Sequence, residues 1–345
     1  MPKELTHLII TDEAMKRVEA LSPERGRILR ENYALFMSGS IICDTAFYDI
    51  SLFKREKSID FLSHGIHTHR GALDENFFRR LIGSDSGKMG EKDFAFACGI
   101  LSHHMADKNF HPFVGYFTGN YMDEDPARKR RAEAAHRFLE GLIDLQLKER
   151  VSASIDPSYA RKLLKGNASL LPSLKSFVKA AKGKAGQGEE ELSKRLFSLF
   201  NFQLRLLGLY EKKWFKWTVL LINRLFKFKF SNYAALLYPD RSYLDLPLFT
   251  GPLSFIDPFS GGSAETSVLE IAEKSIKELT EAILAYQNVL PSEACRDGEY
   301  EMNEAHFSSF FRPTPAGGGV DKRFFASDVV IIEEALDKFL GREKR

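Results

Sequence analysis

The sequence predicts an all-α, multi-helix fold, and three observations carry that prediction. Strand-like alternation is scarce along the 345 residues, whereas apolar residues recur at helical intervals in the long runs. Helix punctuation stands where one such run begins, with Ser22 placed as cap and Pro23 as first helical residue. Stretches rich in glycine and serine or lysine, such as SDSGKMG at 84–90 and AKGKAGQGEE at 181–190, separate the runs as turns or flexible loops.

Taken in order, ELTHLII is expected to precede a helix starting near Thr11, with Thr11 or Asp12 as cap and Ala14, Val18 and Leu21 as its apolar face. A second helix runs from Ser22 and Pro23 to Gly39 and Ser40, burying Ile28, Leu35 and Phe36. The apolar doublet after it delivers Asp44. The stretch at 58–71 carries His64, His67 and His69, and a short helix follows from Asp74 through Leu81. Asp93 starts a helix that Pro112 should end or bend, because proline lacks the interior backbone donor. Residues 123–131 read as a charged connector, and Ala132 to Glu149 as a long helix with a stripe of Phe138, Leu142, Ile143 and Leu145.

After Glu149 the character changes, which divides the chain into 1–150 and a helical completion or accessory region at 151–345. Two short helices are punctuated by Pro157 and Pro172, and an aromatic helical region spans 192–230. Residues 238–262 look irregular, Ser267 to Gln287 is an amphipathic helix, 295–322 has little periodicity, and a last helix covers Ser327 to Leu340.

Composition excludes several function classes. A formal net charge of +2 gives no case for a nucleic-acid partner, and three widely spaced cysteines form neither a disulfide framework nor a thiolate metal site. No stretch reaches the roughly 18 apolar residues of a membrane span, and the first residues lack a signal-peptide pattern, so a cytoplasmic location is expected. From Phe202 to Phe230, seven Lys or Arg stand against one acid, Glu211, among aromatic residues. That run is either a peripheral membrane contact or a buried or partner-facing helix with lysines at its edges.

The histidines are unevenly placed, with eight of nine at or before His136 and only His306 beyond. Within CGILSHHMADKNFHPF, His103, Asp107 and His111 follow one another at intervals of four, and His136 and Glu140 repeat that interval in AAHRFLE. Residues four apart share a helix face, so each pair can aim two donor atoms at one point, and imidazole with carboxylate is a usual ligand set for zinc. His104 turns about 100° away and is read as structural or as a substrate contact.

These motifs, with the early His of THLII, the segment MSGSIICDTAFYD and a histidine about twenty residues on, resemble the zinc-dependent phospholipase C family, related at a distance to nucleases of the S1/P1 type. The resemblance covers about residues 1–145, with a weaker echo in FIDPFSG at 255–261. It implies a helical domain holding two or three zinc ions on His7, Asp44, His103, Asp107, His111, His136 and Glu140. His67, or alternatively His64, completes the set.

So many nitrogen and oxygen donors exceed one tetrahedral zinc and suit a multinuclear centre, in which Asp107 is the natural bridge. Clustered zinc would neutralise a phosphodiester and acidify a water, while Asp44 binds metal and takes the water's proton as the catalytic residue. Asp49 or Asp144 is expected to orient an imidazole. The expected activity is phosphodiester hydrolysis of phospholipase C type, on a phospholipid or another phosphodiester. The alternatives are a nuclease or nucleotidase with the same centre and a non-catalytic, metal-stabilised binding or scaffold protein. Oligomeric state is left open.

Overall fold

A computed structural model of the chain describes residues 3–49, 75–82, 90–121, 123–152, 154–165, 169–182, 188–285 and 329–342. The fold is predominantly helical, as expected. His64, His67, His69 and His306 lie outside the described residues.

Helix α1 spans Glu4–Leu21, about two turns earlier than the pattern near Thr11 suggests, so His7 stands inside it. The start is hidden in the sequence because its capping acceptor is remote. The buried Asp144 carboxylate accepts from the backbone amides of Leu5 (3.2 Å) and Thr6 (2.8 Å) and from the hydroxyls of Thr6 and Tyr238. It satisfies donors that every helix start leaves open. α2 (Pro23–Glu31) begins with Pro23 as expected, although the Ser22 side chain makes no cap bond, and the run then breaks at Asn32 before α3 (Tyr33–Ile42). A 3-10 turn, Cys43–Tyr48, carries Asp44.

α4 covers Glu75–Ile82 and α5 covers Glu91–Thr118. Pro112 does not end α5: Phe110, Phe113, Val114 and Phe117 are buried on both sides of it, and that burial holds the helix together. The chain leaves α5 only at Gly119, whose φ of 84° suits a residue without Cβ. α6, Pro126–Arg150, is longer than expected because Asp125 caps it, accepting from the amides of Ala127 (2.7 Å) and Arg128 (3.2 Å). The charged "connector" is therefore largely its exposed first turns.

α7 (Pro157–Leu164) and α8 (Leu170–Lys182) are the two helices around Pro157 and Pro172. The aromatic region forms three helices: α9 (Glu189–Tyr210), α10 (Lys213–Leu225) and the short α11 (Ser231–Ala234). The irregular stretch hides a hairpin, β1 (Leu253–Ile256) antiparallel to β2 (Ser263–Thr266), with Leu253 opposite Thr266. Four-residue strands are too short to show alternation. Asp257 shapes their loop by accepting from the Phe259 amide (2.8 Å) and the Ser260 hydroxyl (2.6 Å), and Phe255 packs on Phe113 of α5. α12 (Val268–Ala285) starts with a reciprocal Ser267–Glu270 capping box, and α13 is Val329–Leu340.

α1, α3, α5 and α6 form the centre of one core, and α12 packs on α1 and α5. The closest approach is between α3 and α5, where Gly39 and Gly99 face one another. A Cβ on Gly99 would lie 2.1 Å from the Phe36 carbonyl and 2.8 Å from the Gly39 Cα, and one on Gly39 would lie 2.4 Å from the Phe96 carbonyl. These neighbours are backbone atoms and cannot rotate aside. Gly99→Ala should therefore force the helices apart and destabilise the protein by about 1–3 kcal/mol, measurable by denaturant unfolding; wild-type stability would contradict this packing.

Candidate metal centre

Four packed elements bring seven of the expected site residues to one region. α1 supplies His7, the 3-10 turn Asp44, α5 His103, Asp107 and His111, and α6 His136 and Glu140. His67 and its alternative His64 fall outside the described residues.

His7 and His103 are fully buried and stack with ring centroids 4.3 Å apart. From Nε2 of His7, Asp107 Oδ1 lies at 3.6 Å and Asp44 Oδ2 at 3.9 Å. From Nε2 of His103, Asp107 Oδ2 lies at 3.3 Å and Asp44 Oδ1 at 3.9 Å. The donor atoms of His7, His103 and Asp107 all lie within 4.8 Å of one another. Two ligand atoms on one tetrahedral zinc stand about 3.4 Å apart, so the spacing suits a shared ion better than direct hydrogen bonds.

The polar atoms support the same fit. Both ring nitrogens of His7 and Oδ1 of Asp107 are buried without a hydrogen-bond partner among the described residues, a costly arrangement in an apolar core unless something else engages them. Asp107 also extends the cluster, its Oδ2 standing 3.8 Å from Nε2 of His111. Beyond it, His111 and His136 approach edge to face at 6.1 Å, and His136 Nε2 lies 2.9 Å from Glu140 Oε1.

The protonation states are opposed. Burial, together with the neighbouring His103, pushes His7 down to about 4. Burial also works against a charged His103, but Asp107 and Asp44, with the Ser40 carbonyl on its ring, outweigh it and raise His103 to about 9. Burial would raise Asp107, yet His103 and His111 hold it well below the usual carboxylate range. His103 thus favours its proton and His7 resists one, although the same two carboxylates flank both rings.

Several supporting groups are not evident from the motif. The Ser40 carbonyl lies 3.0 Å from His103 Nδ1 and orients the ring. Thr118 Oγ1 lies 3.4 Å from His136 Nδ1, and Tyr121 meets that ring edge-on. The turn carrying Asp44 is fixed by Thr45 donating to Gln203 (2.7 Å), Gln203 donating to Glu4 (3.2 Å) and Tyr48 donating to Glu4. A carbonyl leaves no sequence signal, although Glu4, a charge in an apolar opening, is one that could have been noticed. The expected imidazole acceptors fail in this role: Asp144 caps α1, and Asp49 receives Arg195 at 2.6 Å. His104 turns aside to meet Phe78 edge-on at 6.5 Å.

The sequence matches the family model for zinc dependent phospholipase C over residues 6–185, just over half of the chain. The chain belongs to the zinc-dependent phospholipase C family. Neither the curated proteins nor the solved structures yield a match. The family match reaches past residue 145 through α8 and leaves 255–261 outside it. All seven clustered residues fall within it. A metal-dependent hydrolase of the phospholipase C family, with one candidate zinc site on His7, His103 and Asp107, follows from the match and the cluster together.

The opposed imidazoles predict a stability optimum for metal-free protein. His103 gains its proton on folding, so its contribution is complete below its unfolded value near 6.5 and fades as pH rises towards 9. His7 resists its proton, so its contribution holds above 6.5 and fades as pH falls towards 4. Thermal unfolding of chelated protein should show the highest Tm near pH 6.5, and His103→Gln should remove the loss on the alkaline side. An unchanged alkaline slope in that variant would assign it to other groups.

Proposed function

We propose that the chain is a phosphodiester hydrolase of phospholipase C type, using a centre of at least two zinc ions to cleave a phospholipid on the glycerol side of its phosphate. The observation that carries the proposal is Asp107, whose two carboxylate oxygens lie between the His7/His103 pair and His111. Oδ1 faces His7, while Oδ2 stands 3.3 Å from His103 and 3.8 Å from His111, and one carboxylate within reach of both donor groups would suit two ions. His7, Asp44 and His103 would hold one ion, His111, His136 and Glu140 the other, and Asp107 would touch both. His67, or His64 in its place, would complete the set.

Bound zinc supplies an acidified water and a positive centre for the phosphate oxygens. Asp44 reaches within 3.9 Å of both buried imidazoles on a second carboxylate arm. It is placed to accept the proton of the attacking water, a role needing an ionised carboxylate at short range. His7 and His103, packed ring on ring with no room to swing, keep the donor atoms fixed and exclude bulk water. A phospholipid would be presented at a membrane surface, and the exposed aromatic helix α10 is the part of the chain suited to meet it.

Elemental analysis of natively purified protein should find two or three zincs. Hydrolysis of a soluble short-chain phosphatidylcholine should vanish on chelation and return with zinc. His136→Ala should lose one metal equivalent and keep another, whereas a single-ion site would leave the count unchanged. Asp44→Asn should lower kcat by roughly 10² to 10⁴-fold with folding intact. Cleavage of nucleotides in preference to the lipid would favour the nuclease alternative, and protein with neither zinc nor hydrolysis would sink the proposal.

A further inference from the structure

α10 turns its apolar residues outward. Trp214 is 63%, Trp217 76%, Leu221 56% and Leu225 70% exposed, and their spacing of three, four and four lays them along one side of the helix. Past its end, Phe226, Phe230 and Tyr233 are also exposed and meet in series, with ring centroids 5.3 Å and 6.4 Å apart. The buried reading holds for the α9 part of the run, where Leu204, Leu207 and Tyr210 are buried, and not for α10, where Asn223 is the buried residue and Phe215, Val219 and Leu220 are half-buried.

Cations frame the aromatic face. Lys212, Lys213, Arg224, Lys227 and Lys229 are exposed and have no carboxylate partner among the described residues. No acid occurs between Glu211 and Asp240; Glu211 is engaged by Lys148 at 3.2 Å, and Asp240 pairs with Lys216 of α10 itself at 2.9 Å. The face is thus apolar at its centre and basic at its rim.

The turn after α10 is held in a disfavoured form. Lys227 and Phe228 have φ of 52° and 62°, a left-handed conformation that residues with a Cβ rarely adopt. Asn223 holds it, its carbonyl accepting from the Phe228 amide (2.7 Å) and its side-chain oxygen from the Phe230 amide (3.0 Å). Arg342 stacks over the Phe228 ring at 4.8 Å and donates to the Ser231 hydroxyl at 2.5 Å. The fold therefore spends its one buried polar residue in α10 on a turn that leaves Phe226 and Phe230 in solvent.

We propose that this face docks the protein on an anionic lipid bilayer, with the indole and phenyl groups entering the headgroup boundary and the lysines meeting lipid phosphates. Charge complementarity selects the occupant: five unpaired cations suit an anionic sheet and would repel a second copy of the same face. The inference deepens the phospholipid reading above and rests on it for its purpose, but the surface lies outside the matched 6–185 and contains none of the proposed ligands. It is also tied to the centre. In α11, Asn232 accepts from Arg137 at 2.8 Å and donates to Glu133 at 2.7 Å, both on α6, the helix of His136 and Glu140.

Trp214 and Trp217 are the chain's two tryptophans, so selectively excited tryptophan fluorescence reports this face. Zinc-replete protein titrated with vesicles of phosphatidylcholine and phosphatidylglycerol should show a blue-shifted emission that bromine-labelled acyl chains quench and salt weakens. In vesicle cosedimentation, Trp214→Ala/Trp217→Ala and Lys227→Glu/Lys229→Glu should each weaken binding about tenfold or more. Both variants should keep wild-type hydrolysis of a soluble short-chain phosphodiester. Unchanged emission with anionic vesicles at low salt, or wild-type vesicle binding by both variants, would overturn the proposal. So would a lipid-free blue shift that grows with protein concentration alongside a dimer mass, because a second copy would then cover the face. Vesicle binding without any hydrolysis would support the docking surface and count only against the hydrolase; hydrolysis without vesicle binding would do the reverse.

Discussion

The contact on which the centre depends is the backbone-to-backbone approach of α3 and α5 at Gly39 and Gly99. Ser40 follows Gly39 directly, and His103 stands one turn beyond Gly99. The two helices can come close enough for the Ser40 carbonyl to reach His103 Nδ1 only because neither carries a side chain at the crossing. The same approach fixes the end of α3, from which the 3-10 turn swings Asp44 over both imidazoles. Small-residue packing one turn away from His103 thereby helps to set the distances within the cluster.

That cluster is expensive to bury without an ion. His7 keeps two ring nitrogens without hydrogen-bond partners, and Asp107 keeps one oxygen in the same condition. The cost is tolerated because the surrounding apolar core is large and continuous, from Leu8 and Ile9 of α1 to Phe110 and Phe113 of α5. Metal binding and folding stability are therefore coupled here: an ion that engages those atoms removes the proton carried by His103 together with the desolvation cost of His7.

Much of this was legible in the sequence. The i,i+4 placement of His103, Asp107, His111, His136 and Glu140 survives in the fold because those residues sit inside α5 and α6, where periodicity is reliable. Helix limits were misjudged where the deciding partner is distant or unusual. The start of α1 depends on Asp144, and the passage of α5 through Pro112 depends on flanking phenylalanines buried against other elements. The supporting shell was the least legible part. It is made of a main-chain carbonyl, a threonine hydroxyl and a glutamine from α9, types whose role appears only when the helices are assembled.

The cap on α1 also sets an order of assembly. Asp144 lies 138 residues beyond Thr6, so α1 leaves the ribosome without the acceptor for its own leading amides. At ordinary synthesis rates the wait is on the order of ten seconds. His7 thus remains on an uncapped, unanchored segment until α6 has been made, which is also when His136 and Glu140 become available.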